Sequence, residues 1–329
     1  MIVLGVDVAK AKLDVALWLP VPKKWYACKV DNDGPGCRKL LAWAQAKSGA
    51  GADAIRVVME STGVYHELAA ECLHDAGCNV VIANPKRVRD FARGLGYLTK
   101  TDPVDAKALA RYGEQGDVQV WQPPAPEIRA LRALLARLAA VGEDLQREQN
   151  RLEKAQIAQT PELVRDSLLR SIERLTAEHA RLRKAIEDHH DQHPGLKTER
   201  DLLRTIPSVG PGSADQLLCL LRSRHFNSAR QAAALSGLVP VEHSSSTSIR
   251  GRPRLSKQGN PRLRAVLYMA SVASLRHNPE LKAIYDKLVA KGKAKMAALG
   301  ALMRHIIHTA FGVLKHQQPY NPALVSKIS

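Results

Sequence analysis

The sequence predicts a mixed fold with an α/β domain at residues 1–122, a helical hairpin at 123–198 and a mainly helical segment at 199–329. Three observations predict it. Short runs rich in Val, Leu and Ile alternate with helix signals in the first part. An apolar repeat at heptad spacing fills the middle part. The last part is strongly basic and contains several short helix patterns separated by Gly and Pro.

The first domain is predicted to begin with three consecutive strands, at residues 2–8, 13–19 and 24–30. Short polar breaks between these strands suit hairpins. The elements that follow are helix, strand, helix, strand and helix, at 37–47, 55–60, 64–76, 79–83 and 102–115. Three strands and then this alternation is the order of an RNase H-like (RuvC-like) fold, because a plain doubly wound sheet would place a helix after its first strand.

The middle segment predicts an antiparallel coiled-coil hairpin. On its first helix, one a/d seam is formed by Ile128, Leu131, Leu135, Leu138, Leu145 and Leu152. After a break at Thr160-Pro161 the repeat resumes at Leu168, Ile172, Leu175, His179, Leu182 and Ile186. Long helices with such narrow stripes pack against each other. A second protomer could share the stripe, so we expect this hairpin to support oligomerisation.

The C-terminal segment opens with a helix-hairpin-helix pattern. An apolar helix end at 202–206 is followed by a glycine-containing turn at 207–212 and a second apolar helix at 213–221. Such hairpins can offer backbone N–H groups to a phosphate, although a plain helix pair is the alternative. Further helices are expected at 228–237, 262–276 and 295–315.

The net charge of +17 indicates nucleic acid as a partner. Residues 199–329 contain 20 Lys and Arg against 6 Asp and Glu, so 14 of the 17 excess positive charges lie there. Cationic side chains at this density favour phosphate backbones through counterion release. They are concentrated in a polar stretch at 241–264, where the candidate nucleic-acid contacts are Arg250, Arg252, Arg254, Lys257, Arg262 and Arg264.

Composition also argues against other classes of protein. The five cysteines form no CxxC pair and no zinc spacing, so we expect reduced residues in a cytoplasmic protein. No apolar run reaches 18 residues, and Asp7 and Lys10 interrupt the apolar start, which argues against a signal peptide. No amphipathic anchor accompanies the basic charge, so a membrane partner is not expected.

Four carboxylates of the first domain predict a site for a divalent cation. Asp7 lies at the end of the first strand, and Glu60 ends strand 55–60. Asp102 and Asp105 lie three residues apart at the start of a helix. Hard cations prefer oxygen ligands, and two such ions can bind the attacking and leaving oxygens of a phosphodiester. The sequence therefore predicts phosphodiester chemistry on nucleic acid with Mg²⁺ (or Mn²⁺).

Each carboxylate also has a purely structural alternative. Asp102 could cap its helix with Asp105 as the reciprocal residue, and Glu60 could cap the helix that follows it. Asp7 is harder to explain in this way, because a carboxylate within an apolar strand is unfavourable unless it is paired or metal-bound. Asp14, in the second strand, is interpreted as a strand-face residue outside the site. Actin-like kinases begin similarly, but no convincing glycine-rich phosphate loop follows here.

Short motifs over nearly the whole chain are similar to those of a known family. The first domain contains GVDVAK at 5–10, MESTGVY at 59–65, NP at 84–85 and KTDPVDA at 100–106. The last segment contains IPSVG at 206–210, GLVP at 237–240, SKQGN at 256–260 and LR at 263–264. In order and spacing the chain resembles the insertion-sequence transposases that combine an RNase H-like DEDD domain with a C-terminal serine, the bridge-RNA-guided DNA recombinases.

This resemblance implies a set of catalytic residues. Its acidic tetrad corresponds to Asp7, Glu60, Asp102 and Asp105. Its nucleophilic serine lies five residues after the proline of the GLVP motif, which places it at Ser245 when counted from Pro240. The family normally has a glycine next, and Ser246 replaces it here, so Ser244 and Ser246 are possible competitors.

The resemblance also implies a mechanism and partners. A serine would attack a DNA phosphate and hold the strand as a phosphoserine, with target and donor DNA chosen by a structured guide (bridge) RNA. The acidic domain of one protomer would meet the serine domain of another within a tetramer of two dimers. A nucleoid-associated protein of a prokaryotic cytoplasm is expected. Two alternatives stay open: a metal-dependent nuclease or junction resolvase without a covalent intermediate, and a non-enzymatic nucleic-acid packaging protein.

Overall fold

The computed structural model describes residues 1–61, 63–97, 99, 101–115, 118–241, 244–245, 249–250 and 254–325. The chain forms two compact units, Met1–Pro123 and Pro124–Ser329, called here the N-terminal and C-terminal units. The finer division into three domains remains a prediction.

A five-stranded sheet forms the centre of the N-terminal unit. Its strands are β1 (Ile2–Val8), β2 (Lys12–Leu19), β3 (Lys24–Asp31), β4 (Ile55–Glu60) and β5 (Asn79–Ala83). Their order across the sheet is β3-β2-β1-β4-β5. β1, β2 and β3 pair antiparallel, whereas β4 lies parallel to both β1 and β5. The predicted strands are thus confirmed: β1, β2, β4 and β5 bury apolar residues in the sheet, whereas β3, at its edge, has no buried residue.

Helices cover both faces of this sheet. They are α1 (Gly34–Ser48), α2 (Tyr65–Asp75), α3 (Pro85–Gly94) and α4 (Asp102–Gly113), with a short 3₁₀ turn at Ala52–Ala54. One core includes residues of α1 and α2, such as Leu40 and Leu73, and a second core includes Val88 of α3 and Leu109 of α4. α1, α2 and α4 were predicted.

Helix α3 was not predicted from the sequence. Only Val88 is buried among its ten residues, so it shows no apolar stripe. The helix starts because Asn84 caps it: Asn84 Oδ1 accepts hydrogen bonds from the backbone N–H groups of Lys86 at 2.9 Å and Arg87 at 3.3 Å. Pro85 then occupies the first helical position, where the missing N–H is not needed.

Helix α4 lies very close to strand β1, and glycine makes this possible. A Cβ added at Gly5 would lie 1.9 Å from the carbonyl oxygen of Ala106 and 2.4 Å from the backbone nitrogen of Ala110. At the other end of the helix, a Cβ on Gly113 would lie 2.3 Å from Cγ2 of Val58. Small residues therefore set the distance between α4 and the sheet, and with it the position of the N-terminus of α4.

The C-terminal unit is mainly helical. Its helices are α5 (Pro126–Ile157), α6 (Glu162–Gln192), α7 (Pro194–Arg204), α8 (Pro211–Leu221), α9 (Ala229–Leu235), α10 (Pro261–His277), α11 (Pro279–Ala290), α12 (Lys295–His316) and α13 (Pro322–Val325). Two short ladders pair β6 (Pro240–Val241) with β9 (Arg254–Leu255) and β7 (Ser244–Ser245) with β8 (Ile249–Arg250). The expectation of a mainly helical C-terminal region is confirmed, although α11 was not predicted.

Helices α5 and α6 form an antiparallel hairpin. Nε2 of His189, near the end of α6, lies 2.9 Å from the carbonyl oxygen of Glu127 at the start of α5. At the turn, the hydroxyl of Thr160 donates to the carbonyl oxygen of Ala155 at 3.1 Å. Apolar residues near the turn are exposed: Ile157, Leu163, Val164 and Leu169. Whether the hairpin packs as a coiled coil remains a prediction.

A buried ionic cluster ties α6, α7 and α8 together. Nε2 of His190 and Nε of Arg200 each lie 2.9 Å from Oδ1 of Asp215, and Arg200 also donates to both carboxylate oxygens of Glu187. His190, Arg200 and Asp215 are at most 5% exposed. Each buried charge in this cluster therefore has a partner within the chain.

Helix α12 runs through the core of the C-terminal unit. Leu302, Ile306 and Ala310 on this helix are fully buried. Among the described residues, it is the one helix long and apolar enough to cross a membrane by length and composition. Because 56% of its apolar window is buried inside the protein, it has the character of a core helix.

Candidate active site

Two of the predicted carboxylates lie side by side at one edge of the sheet. β1 and β4 are parallel, and the last pair in their register is Val6 with Met59. Asp7 and Glu60 are the next residues of the two strands, so both lie at the C-terminal edge. Side chains alternate along a strand, and Asp7 therefore shares its face with Gly5, which is the face that α4 covers.

The other two carboxylates come from the N-terminus of α4. Thr101 precedes the helix, and its carbonyl oxygen accepts hydrogen bonds from the backbone N–H groups of Val104 and Asp105 at 2.9 Å each. Among the residues that the structure describes, no side chain caps this helix, and Asp102 is its first residue. The capping alternative for Asp102 and Asp105 is therefore wrong.

Glu60 does not stand at the cap position of helix α2, because this helix begins at Tyr65 and its cap residue is Val64.

All four predicted carboxylates line a single cleft of about 460 Å³. They face Val88, Arg89, Ala92 and Arg93 of α3, together with Tyr97 and Thr99 of the segment that follows it. Within the described part of the chain, no three Asp, Glu, His or Cys side chains lie close enough together to hold a metal ion as they stand. The cleft thus brings the carboxylates together as neighbours, but not as a closed set of ligands.

The environment of Asp7 in this cleft shifts the pKa of its carboxyl group. Burial is the main cause that raises the pKa of Asp7 to about 6, and repulsion from Asp102, Asp105 and Asp14 adds to it. Asp14 lies opposite Asp7 in the β1–β2 register, but its carboxylate is 2.8 Å from Nζ of Lys29 and it does not line the cleft. A cation near Asp7 would relieve the repulsion.

The cleft also contains residues that the sequence did not single out. Arg89 and Arg93 lie one turn apart on α3, and neither forms an ion pair with any residue that the structure describes. Tyr97 and Thr99 add hydroxyl groups. The available signal was the basic charge at 86–93, where four of eight residues are Lys or Arg. Because no helix was predicted there, the sequence did not show which of these side chains share a face.

The structure gives only backbone information for the predicted nucleophile. Ser245 lies in β7 and pairs with Ile249 of β8, and Ser244 pairs with Arg250. The side chains of Ser244, Ser245 and Arg250 lie outside the described part of the chain, and so do Ser246 and Arg252 altogether. Their predicted roles remain predictions.

The remaining basic candidates differ in their contacts. Arg254 and Lys257 are exposed. Arg262 forms an ion pair with Glu143 of α5 at 3.1 Å. Arg264 donates to the carbonyl oxygens of Gly259 at 2.8 Å and Ser236 at 3.4 Å. The last two side chains therefore have structural contacts that the sequence did not predict.

An α/β unit with a cleft of four carboxylates, in one chain with a strongly basic helical unit, is typical of enzymes that act on nucleic acids. A model of the DEDD transposase domain of the IS110 family, described as a transposase, matches residues 4–157. A model described as "Transposase IS116/IS110/IS902 family" matches residues 200–286. Together the two models cover well over half of the chain.

Individual relatives agree with this match, two of them over nearly their whole length. The pilin gene-inverting proteins of Moraxella lacunata and Moraxella bovis are each 28% identical over 320 residues, which is 97% of both chains. An uncharacterized 43.6 kDa protein of insertion element IS110 from Streptomyces coelicolor is 30% identical over 142 residues, covering 43% of this chain and 35% of the relative. The chain belongs to the IS110/IS116 family of transposases. It is a DNA transposase/recombinase, and its partner is DNA.

Proposed function

We propose that this transposase cuts and rejoins the DNA of its mobile element through a serine–phosphate intermediate, with a divalent cation in the acidic cleft and an RNA that selects the DNA. The observation that carries the proposal is the single cleft lined by Asp7, Glu60, Asp102 and Asp105. The strand order, with three antiparallel strands followed by two parallel ones, supports an RNase H-like domain as its scaffold.

The donor set of the cleft fits a hard cation. All four side chains are carboxylates, and after burial, repulsion from Asp102 and Asp105 contributes to the raised pKa of Asp7. Asp7, Glu60, Asp102 and Asp105 would hold Mg²⁺ (or Mn²⁺). When bound, the cation would stabilise negative charge on a phosphate and favour deprotonation of an attacking hydroxyl.

Arg89 and Arg93 have a role that complements the carboxylates. A DNA strand that enters the cleft brings phosphates towards like charges, which is unfavourable. Guanidinium groups bind phosphate oxygens strongly, and both arginines lack ion-pair partners among the described residues. They would hold the strand in the cleft, with Tyr97 and Thr99 as further hydrogen-bond donors.

Ser245 would supply the covalent step. Its Oγ would form a bond to phosphorus while the bond from phosphorus to the leaving DNA oxygen breaks, and the proton lost by Oγ would balance the proton gained by the leaving hydroxyl. The ester is conserved in the phosphoserine, so a hydroxyl of another strand can displace the serine and rejoin the DNA. The family register from Pro240 supports this assignment.

The hairpin would hold protomers together as a coiled coil. The exposed apolar residues near its turn, Ile157, Leu163, Val164 and Leu169, favour contact with another protomer. Tetramers of two dimers would allow the acidic cleft of one protomer to act with the serine of another.

The guide RNA and the protein would recognise different features of the DNA. Base pairing would read the sequence, while the basic charge of residues 199–329 would bind backbone. The nucleoid of a prokaryotic cytoplasm is the expected place of action.

Denaturing gels of the purified protein with labelled donor and target DNA, Mg²⁺ and the RNA encoded beside the element test the proposal. We expect a protein-linked DNA strand from the wild type and none from Ser245→Ala or Glu60→Gln. Ser244→Ala is the matched control and should keep the adduct. Cleavage with free ends and no adduct in the wild type would favour the nuclease or resolvase alternative. Equal joining without the RNA would contradict RNA guidance.

A further inference from the structure

The C-terminal unit contains a second cavity, remote in sequence from the carboxylates. It has a volume of about 570 Å³, within the usual range of roughly 300–1,000 Å³ for small-ligand sites. It lies between the segment that follows α8 and the last turns of α12. The residues that determine its chemistry are Arg222, Arg224, His225, Phe226, Phe311 and Lys315.

The lining of this cavity is cationic. Arg222, Arg224 and Lys315 contribute three positive charges, and none of the lining residues that the structure describes is acidic. Arg222 is already paired with Glu199. Arg224 and Lys315 have no ion-pair partner within the described ranges. An anionic ligand is therefore the complement of this surface.

Arg224 is the residue of this cavity whose charge a bound anion would stabilise most. It is half-buried in the segment between α8 and α9, and burial lowers the pKa of its guanidinium group. Withdrawal of a charge from water without a partner is unfavourable. An anion that binds beside Arg224 would offset that loss of hydration, whereas a purely structural arginine would be expected to have a carboxylate partner.

Two aromatic residues, together with Leu221 and Leu314, form the apolar part of the lining. The chain has only three phenylalanines, and two of them, Phe226 and Phe311, line this cavity. Phe226 is 9% exposed, while Phe311 is partly exposed one helical turn before Lys315. An aromatic ring next to cationic side chains is the combination that binds a base and its phosphate in unpaired nucleic acid.

We propose that this cavity binds one unpaired nucleotide of a single-stranded nucleic acid, with its phosphate on Arg224 and Lys315 and its base against Phe311. The site is distinct from the acidic cleft and needs neither a metal ion nor Ser245. It would hold a strand that is not base-paired while the DNA is cut and rejoined elsewhere on the protein.

Ligand-induced stabilisation of the full chain tests this site directly. Adenosine monophosphate should raise the Tm of the wild type more than inorganic phosphate does, and adenosine alone should have little effect. Arg224→Gln should abolish both shifts, whereas Phe311→Leu should leave the phosphate shift and remove the preference for the nucleotide. Lys287→Gln, an exposed cation on α11 outside the cavity, is the control and should behave like the wild type.

Fluorescence anisotropy with a labelled single-stranded oligonucleotide extends the test to a polymer. Arg224→Gln should weaken binding about tenfold, and the slope of log affinity against log salt should fall by about one. Duplex of the same length should bind the variant and the wild type alike. Equal single-strand binding by Arg224→Gln and Lys287→Gln would overturn the proposal.

Two further measurements distinguish a nucleotide site from a structural role of Arg224 and from the acidic cleft. Without ligand, Arg224→Gln should unfold at the same temperature as the wild type or higher, because it removes an unpaired charge. A clear loss of stability would show that Arg224 serves the fold, and would overturn the proposal. Glu60→Gln should respond to adenosine monophosphate like the wild type, so failure of the active-site assignment would leave this test unaffected.

Discussion

Each unit of the protein contains an aspartate in a cluster of charge, and the two clusters are built in opposite ways. Asp215 of the C-terminal unit is fully buried, but His190 and Arg200 each lie 2.9 Å from it. Asp7 of the N-terminal unit is half-buried beside further carboxylates, which help to raise its pKa to about 6. Asp215 thus has cationic partners within the chain, whereas the charges that raise the pKa of Asp7 are those of other carboxylates.

The difference indicates which cluster serves the fold and which serves a ligand. A buried charge with partners stabilises a particular packing, and removing one partner leaves the others uncompensated. A carboxylate held next to other carboxylates lowers stability, and such an arrangement is typical of functional sites. Substitutions in the two clusters should therefore have effects of opposite sign on stability.

Gly5→Ala is expected to have the largest effect, and it acts on the acidic cleft without touching a carboxylate. The added Cβ would lie 1.9 Å from the backbone of α4, so the helix must move, and Asp102 and Asp105 move with it. A displacement of about 1 Å at a catalytic centre can reduce rates by about a hundredfold. We expect at least that loss in a DNA-joining assay. Gly94→Ala is the control: a Cβ added there would have no atom of another part of the fold within 4 Å, so this variant should retain wild-type activity.

Asp215→Ala should cause the largest loss of stability. It leaves Arg200 and His190 buried without their shared partner, so the free energy of unfolding should fall by about 3–5 kcal/mol in urea titrations. Asp201→Ala removes an exposed ion pair with Arg204 and should change it by less than about 1 kcal/mol. If the two substitutions had equal effects, the buried cluster would not be structural.

In metal-free protein, Asp7→Asn should raise stability, which is the opposite of the effect of Asp215→Ala. The folded state raises the pKa of Asp7 from 3.8 to about 6, so this group favours folding below pH 4, and the benefit is lost as pH rises towards and above 6. At pH 7.5 the variant should therefore have a higher Tm than the wild type, and the difference should vanish near pH 4. Asp53→Asn, outside the cleft, serves as the control. A lower Tm for Asp7→Asn than for the wild type at pH 7.5 would contradict the conclusion that the clustered carboxylates lower stability.

Arg262→Gln should have the smallest effect on stability. Its ion pair with Glu143 is exposed, and such pairs contribute about 0–1 kcal/mol. If Arg262 also contacts DNA phosphate, the salt dependence of DNA binding should weaken by about one contact. A double-mutant cycle with Glu143→Gln measures the first quantity, and titrations at several salt concentrations measure the second.

The sequence predicted those parts of the fold that depend on local patterns. Strands β1 and β4 are mostly apolar runs, and Asp7 and Glu60 could be located because they stand at the ends of these runs. Helix α3 could not be found in this way, because only Val88 anchors it in the core. Arg89 and Arg93 were missed for the same reason, since they reach the cleft only through the packing of α3 beside α4, where Phe91 and Tyr112 meet edge to face at 5.6 Å.

Calorimetric titration of the 329-residue chain with Mn²⁺ measures whether the acidic cleft binds a divalent cation. The wild type should bind the ion, and Glu60→Gln and Asp102→Asn should each weaken binding at least about tenfold, because a carboxylate oxygen is the preferred ligand of a hard cation. Asp14→Asn, beside the cleft but outside its lining, should bind like the wild type. Equal Mn²⁺ binding by all four proteins would contradict the assignment of the cleft as the metal site.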